Sequence, residues 1–134
     1  MVLEVDFSSD EPIYQQIRSQ IVHAVATGEL CAGDSLPSVR SLAADLGVNM
    51  HTVNKAYAVL RDEGYVVMRR RSGAVIANRL EGLSSAAQTQ ERERLAQTLY
   101  RLALEHKAQG GSFDSFVQLA TSQAAAVYTQ SSSE

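Results

Sequence analysis

The stretch SVRSLAADLGVNMHTVNKAYAVLRDEGYVVMRRRSGAVIAN, residues 38–78, changes its hydrophobic pattern at two glycines, and those changes decide the fold. Ser38 stands before a short run with Val39, Leu42, Ala43 and Leu46 on one helical side, and Gly47 closes it. Asn49 then caps a second run, whose apolar stripe is Val53, Ala56, Tyr57 and Leu60, up to Gly64. Two short helices joined by about three residues that include glycine form a helix-turn-helix. Past Gly64 the period drops to that of a strand. YVVM (65–68) and AVIA (74–77) flank RRRSG (69–73), where Gly73 can supply a positive φ, so a hairpin is expected with its tip near Arg71, Ser72 and Gly73. A β-hairpin directly behind a helix-turn-helix is a wing.

Upstream, DEPIYQQIRSQIVHAVATG (10–28) offers Asp10 as an N-cap and Pro12 in the first turn. Ile13, Ile17, Ile21, Ala24 and Val25 follow at helical spacing as far as Gly28. GELCAGDSLPS (28–38) reads as a loop. Downstream, EGLSSAAQTQ (81–90) reads as a linker or a frayed helix start. From about Glu91 to Gln109, Leu95, Leu99, Leu102, Ala103 and His106 share one face, and Gly110-Gly111 ends the segment. Ser112 caps a last helix with Phe113, Phe116, Val117, Ala120, Ala124 and Val127 as its stripe, and the small polar tail TQSSSE (129–134) is expected to be disordered. The expected fold is mainly α with a small β-hairpin: a winged helix-turn-helix over 1–78, then a linker and a two-helix hairpin over 79–134. Such a hairpin has no third layer to cover its stripes and needs a partner surface.

A chain of 134 residues, 45% hydrophobic and 20% charged, suits one ordinary domain with a small appended piece. No apolar run is long enough to span a bilayer, and the acidic start MVLEVDFSSDE lacks the features of a secretory signal, so a cytoplasmic protein without membrane contact is expected. Cys31 is the single cysteine, which excludes an internal disulfide and a multi-cysteine metal site. His23, His51 and His106 fall on three different helices with no Cys or carboxylate at ligand spacing, so neither metal nor cofactor is expected. No Ser/His/Asp order, glycine-rich phosphate loop or paired acids provide a catalytic residue, and the chain is not read as an enzyme.

The formal net charge of −3 hides an asymmetry. Residues 1–50 hold seven acids against Arg18 and Arg40, a net −5. Residues 51–80 hold Lys55, Arg61, Arg69, Arg70, Arg71 and Arg79 against Asp62 and Glu63, a net +4. Residues 81–134 return to −2. A cationic strip on an acidic chain attracts a polyanion at one face while the remainder repels it. Once the stripe of the second short helix is spent on packing, Met50, His51, Thr52, Asn54, Lys55 and Ala58 are left for other faces. In the first turn of a helix lying in a major groove, His51 and Asn54 are the candidates for base edges, Lys55 for a phosphate, and the helix N-terminus itself favours a phosphate. The wing arginines suit a backbone or a narrow minor groove.

GELCAGDSLPSVRSLAADLGVNMHTVNKAYAVLRDEGYVVMRRRSGAVIAN (28–78) resembles the winged helix-turn-helix of the GntR family of bacterial transcription regulators, and the likeness extends over roughly residues 11 to 78. It is carried by G-x-L-x-x-G-D-x-L-P-S from Gly28 to Ser38, Arg40 followed by Leu42-Ala43, Leu46-Gly47-Val48, N-x-x-T-V-N-K-A-Y from Asn49 to Tyr57, and Gly64-Tyr65. The start EPIYQQI and the short helical C-terminal part resemble the YtrA-type subfamily, whose members dimerise through two C-terminal helices and often regulate transporter operons. The resemblance implies that Ser38 and Arg40 contact DNA, with Arg40 on a phosphate or a guanine. It further implies that residues Asn49 to Lys55 enter the major groove, and that the tip, Arg70, Arg71, Ser72 and Gly73, approaches the minor groove. For dimerisation it points to Leu95, Leu99, Leu102, Phe113, Phe116, Val117 and Ala120. The chain departs from the pattern at Met50 and Asn54, where many members carry arginine, and at Arg71-Ser72-Gly73-Ala74, where G-K-G-T is usual. The base preference is therefore not carried over.

These readings converge on a homodimeric regulator that binds double-stranded DNA, expected to be a repressor. Two-fold symmetry then implies an inverted-repeat operator. The rival is a winged-helix protein-interaction module without specific DNA binding. Neither the operator, the regulated genes nor any small-molecule effector is legible in the sequence.

Overall fold

The computed structural model describes residues 2–78 and 85–131. The elements are α1 (Ile13–Ala26), α2 (Val39–Leu46), α3 (Met50–Asp62), β1 (Val66–Arg69), β2 (Gly73–Ile76), α4 (Ser85–Ala108) and α5 (Phe113–Ser131). They divide into two units, Met1–Arg79 and Leu80–Glu134.

In the first unit the helical stripes meet. Ile17 and Ile21 of α1 and Val53 and Leu60 of α3 are fully buried, α2 adds Leu42 and Ala43, and the sheet adds Val66, Ala74 and Ile76. Both strands are four residues long and antiparallel, with Val66 opposite Ile76 and Arg69 opposite Gly73. Leu36, from the stretch read as loop, joins the same core. The reason is a pairing between residues far apart in sequence: Leu36 N–H donates to Ala74 O at 2.8 Å, Ile76 N–H to Asp34 O at 2.8 Å and Gly33 N–H to Ile76 O at 2.9 Å. Ser35 bridges Val75, so β2 is paired along both edges.

Helix α1 starts later than Asp10 would have capped it. Pro12 is the N-cap, with an extended ψ of 144°, and no side chain caps the helix. The residue before a proline is driven towards extended backbone, which keeps Glu11 out of the helix and leaves Asp10 too far away. The segment before it is held by two glutamines one turn apart. Buried Gln16 donates through Nε2 to Asp6 O at 3.0 Å and Glu11 O at 2.9 Å, and its Oε1 accepts from Asp6 N–H at 2.8 Å. Gln20 accepts from Glu4 N–H and donates to Glu4 O. These amides satisfy backbone groups as a neighbouring strand would, and Leu3 and Val5 pack onto the core. Across the unit, Arg18 grips Glu63 with two charge-assisted hydrogen bonds, Nε to Oε1 at 2.9 Å and Nη2 to Oε2 at 2.6 Å. That pairing raises the Arg18 pKa further and fastens α1 to the C-terminal end of α3.

The second unit is a helical hairpin. Helix α4 begins at Ser85, inside the stretch read as a linker or a frayed helix start, and the described part of that stretch is the helix start. Ala86, Ala87, Gln88 and Gln90 are good helix formers, and they outweigh the small-polar look of the segment. Helix α5 runs on to Ser131, into the stretch read as a disordered tail, because extending an existing helix adds a hydrogen bond for each residue fixed. Of the segments read as linker and tail, residues 79–84 and 132–134 lie outside the described residues. At the turn, Gly110 adopts φ +93°. Ser112 Oγ accepts from Ser115 N–H at 3.1 Å, capping α5. The His106 ring closes the turn: its Nε2 lies 3.0 Å from Ser115 Oγ, its centroid 5.8 Å from that of Phe116, and any Cβ on Gly111 would collide with it. Beyond this lock the stripes stay bare. Leu95 is 60% exposed, Leu99 43%, Leu102 42% and Phe113 81%, with Val117 and Ala120 exposed and Phe116 half-buried. Two apolar grooves of about 690 and 480 Å³ run along the hairpin, both bordered by Leu99, His106 and Phe116.

Candidate nucleic-acid interface

Helix α2, the turn Gly47–Asn49 and helix α3 form the helix-turn-helix. Gly47 occupies the left-handed region at φ +69°, where a side chain would be strained. Each helix is capped by the residue its sequence nominated: Ser38 Oγ accepts from Ser41 N–H at 3.1 Å, and Asn49 Oδ1 accepts from His51 N–H at 2.8 Å. A long-range bond joins the two: Tyr57 of α3 donates its hydroxyl to Pro37 O at 2.8 Å, just before α2. Burial pushes the Tyr57 pKa up to about 12, so the hydroxyl remains a donor at any physiological pH.

The same segment braces the wing. Residues 34–36 pair with β2, Pro37 receives Tyr57, and Ser38 caps α2, so the wing, the start of α2 and the middle of α3 share one short anchor. The tip, Arg70, Arg71 and Ser72, leads into Gly73 at φ +70° and is exposed, as is Arg69. No hydrogen bond or ion pair involves the side chain of Arg40, Arg69, Arg70 or Arg71 among the described residues. These charges are therefore not spent within the fold.

Of the nominated groove residues, Asn49, Met50, His51, Asn54 and Lys55 are exposed and Thr52 is half-buried. Ser38 and Asn49 are exposed too, but their side-chain oxygens already serve as caps. Lys55 has a neighbour that spacing did not reveal: its Nζ lies 4.1 Å from the centroid of the Tyr14 ring. Tyr14 sits in the first turn of α1, forty-one residues away, and no local pattern pairs the two. The contact holds an ammonium at the edge of α3 and leaves its charge in place.

Among the described residues no group of three or more His, Cys, Asp or Glu could hold a metal ion, and no helix is long and apolar enough to cross a membrane.

Residues 13–76 match the family described as bacterial regulatory proteins, gntR family. The chain is 36% identical over 99 residues to the HTH-type transcriptional repressor YtrA of Bacillus subtilis, covering 73% of this chain and 76% of that one. It spans only 65% and 62% of the length of two other curated relatives. Among solved structures it is similar to YtrA from Sulfolobus acidocaldarius, a GntR-family transcription factor, with a TM-score of 0.62 and 40% identity over 78% of this chain and 99% of that one. It is also similar to AraR(DBD) in complex with operator ORX1, with a TM-score of 0.52 and 26% identity over 57% of this chain and 99% of that one. The chain thus belongs to the GntR family of bacterial regulatory proteins, as a YtrA-type member whose N-terminal unit is the family's winged DNA-binding domain.

Proposed function

We propose that the protein is a cytoplasmic, homodimeric transcription repressor that binds an inverted-repeat operator, one winged unit on each half-site. The observation that carries this reading is the shared anchor at residues 34–38. It fixes an arginine-tipped wing and a helix-turn-helix in one unit, while Arg40, Arg69, Arg70 and Arg71 stay exposed and unpaired among the described residues. In this reading α3 lies in the major groove with His51 and Asn54 at base edges. Asn49, Met50 and Thr52 line the groove, and Ser38, Arg40 and Lys55 meet the backbone. Arg70, Arg71, Ser72 and Gly73 approach the minor groove.

Dimerisation is proposed through Leu95, Leu99, Leu102, Phe113, Phe116, Val117 and Ala120, whose exposed apolar surface gains free energy when a second copy covers it. The repressor assignment follows the relative from Bacillus subtilis that bears that description, and a transporter operon as target follows the subfamily resemblance.

The test is a random-sequence duplex selection with the full chain, then fluorescence anisotropy on the selected operator and on scrambled DNA across salt concentrations. A symmetric selected site and a steep salt dependence are expected, with Arg71→Ala flattening the log–log salt slope by about one unit on both duplexes. His51→Ala and Asn54→Ala should weaken operator binding while sparing scrambled DNA. Failure to enrich any sequence would overturn the proposal in favour of a protein-interaction module.

A further inference from the structure

The outward side chains of α3 can be sorted by subtraction. Val53, Ala56 and Tyr57 are buried, Thr52 is half-buried, Asn49 Oδ1 is committed to its cap and Lys55 rests over Tyr14. What the first two turns still offer is a thioether, an imidazole and a carboxamide: Met50, His51 and Asn54. No guanidinium is present among them, so the two-pronged grip on guanine O6 and N7 that arginine provides is absent from this face. Met50 and Asn54 are four residues apart, on one side of the helix and separated by about 6 Å of rise, close to two base-pair steps.

Met50 is the informative residue. It is a large apolar side chain left 43% exposed, beside a helix N-terminus whose other outward groups are polar. Against a duplex it gains only where it meets an apolar group, and in the major groove the apolar group on a base edge is the thymine C5-methyl. Asn54 has the complementary preference: its carboxamide accepts from adenine N6 and donates to adenine N7. We propose that Met50 and Asn54 form an A·T-reading pair, Asn54 on an adenine and Met50 over a thymine methyl within about two base-pair steps. This rests on the DNA-binding function proposed above and adds the chemistry of the bases read.

The test uses the full chain on its selected operator, with thymines replaced singly by uracil and adenines singly by 7-deazaadenine. One thymine in each half-site is expected to show about a four-fold loss on conversion to uracil, the ratio that corresponds to one buried methyl. Met50→Ala should bring that ratio to one, whereas Met50→Leu should preserve it. Asn54→Ala should abolish the discrimination against 7-deazaadenine at one adenine. Both residues are exposed, and unchanged thermal melting of the free variants separates a reading defect from a folding defect. A selected site with no uracil-sensitive thymine, or a uracil penalty that survives Met50→Ala, would overturn the inference while leaving the function intact. A chain that enriches no sequence would overturn the function itself, and this inference with it.

Discussion

Helices α1 and α3 bury Ile17, Ile21, Val53 and Leu60 completely, whereas α4 presents Leu95, Leu99 and Leu102 at comparable helical spacing and leaves all three exposed. The periodic pattern is the same in both units, so it does not by itself decide burial. The difference lies in the layers around the stripe. In the first unit α2 and the sheet pack onto the α1–α3 core, and the strand-like segment 34–36 pairs along the free edge of β2 and adds Leu36 to that core. The hairpin has two helices fastened at one end by His106, Ser115 and Gly111, and among the described residues of its unit no further element lies across them. A stripe at helical spacing states that a surface must be covered; the topology states whether the chain covers it itself.

The comparison can be tested from its strongest term downwards. Leu60→Ala should destabilise the winged unit by about 2–5 kcal/mol, independently of protein concentration, as measured by urea unfolding. Replacing Leu99 and Leu102 together by Asp should do the opposite. It should cost about 2 kcal/mol or more of self-association, read by analytical ultracentrifugation, while the melting of the winged unit stays in place. Concentration-dependent melting of the winged unit itself would break the contrast.

A third test uses pH. The Tyr57 pKa is raised from 10.0 to about 12 in the folded protein, so the unfolded chain gives up that proton first. The stabilisation is complete below about pH 10 and is lost as pH rises from there towards 12; Tyr57→Phe should remove this part of the slope. The smallest effect concerns Tyr14 and Lys55. A double-mutant cycle with Tyr14→Leu and Lys55→Met should give a coupling of about 0.5–1 kcal/mol, which should fall to near zero when Tyr14→Phe replaces Tyr14→Leu, because phenylalanine keeps the ring face under the ammonium.

What was legible in the sequence was local. Ser38 and Asn49 cap because their oxygens reach a backbone N–H two or three residues on, and Gly47 and Gly73 take positive φ at turns they punctuate themselves. The core of α3 followed from spacing alone. The features that escaped join distant residues. Leu36 meets Ala74, Arg18 meets Glu63, and Lys55 meets Tyr14 across a fold that must exist before they are neighbours. Gln16 and Gln20 look like ordinary surface positions of an amphipathic helix until the chain ahead of them turns back to be held. At the candidate interface, the residue types were readable and their prior commitments were not. Whether Asn49 and Ser38 have an oxygen to spare depends on cap geometry that their identity alone does not state.

The wing shows how a functional loop can be insulated from the stability of its host. Both edges of β2 are occupied, Val66, Ala74 and Ile76 root the hairpin in the interior, and Arg70 to Ser72 lie past the last paired residues. Nothing the core depends on passes through those three positions. They should therefore serve as an exchangeable cartridge: raising, lowering or replacing their charge is expected to retune attraction to a polyanion with little change in the melting temperature.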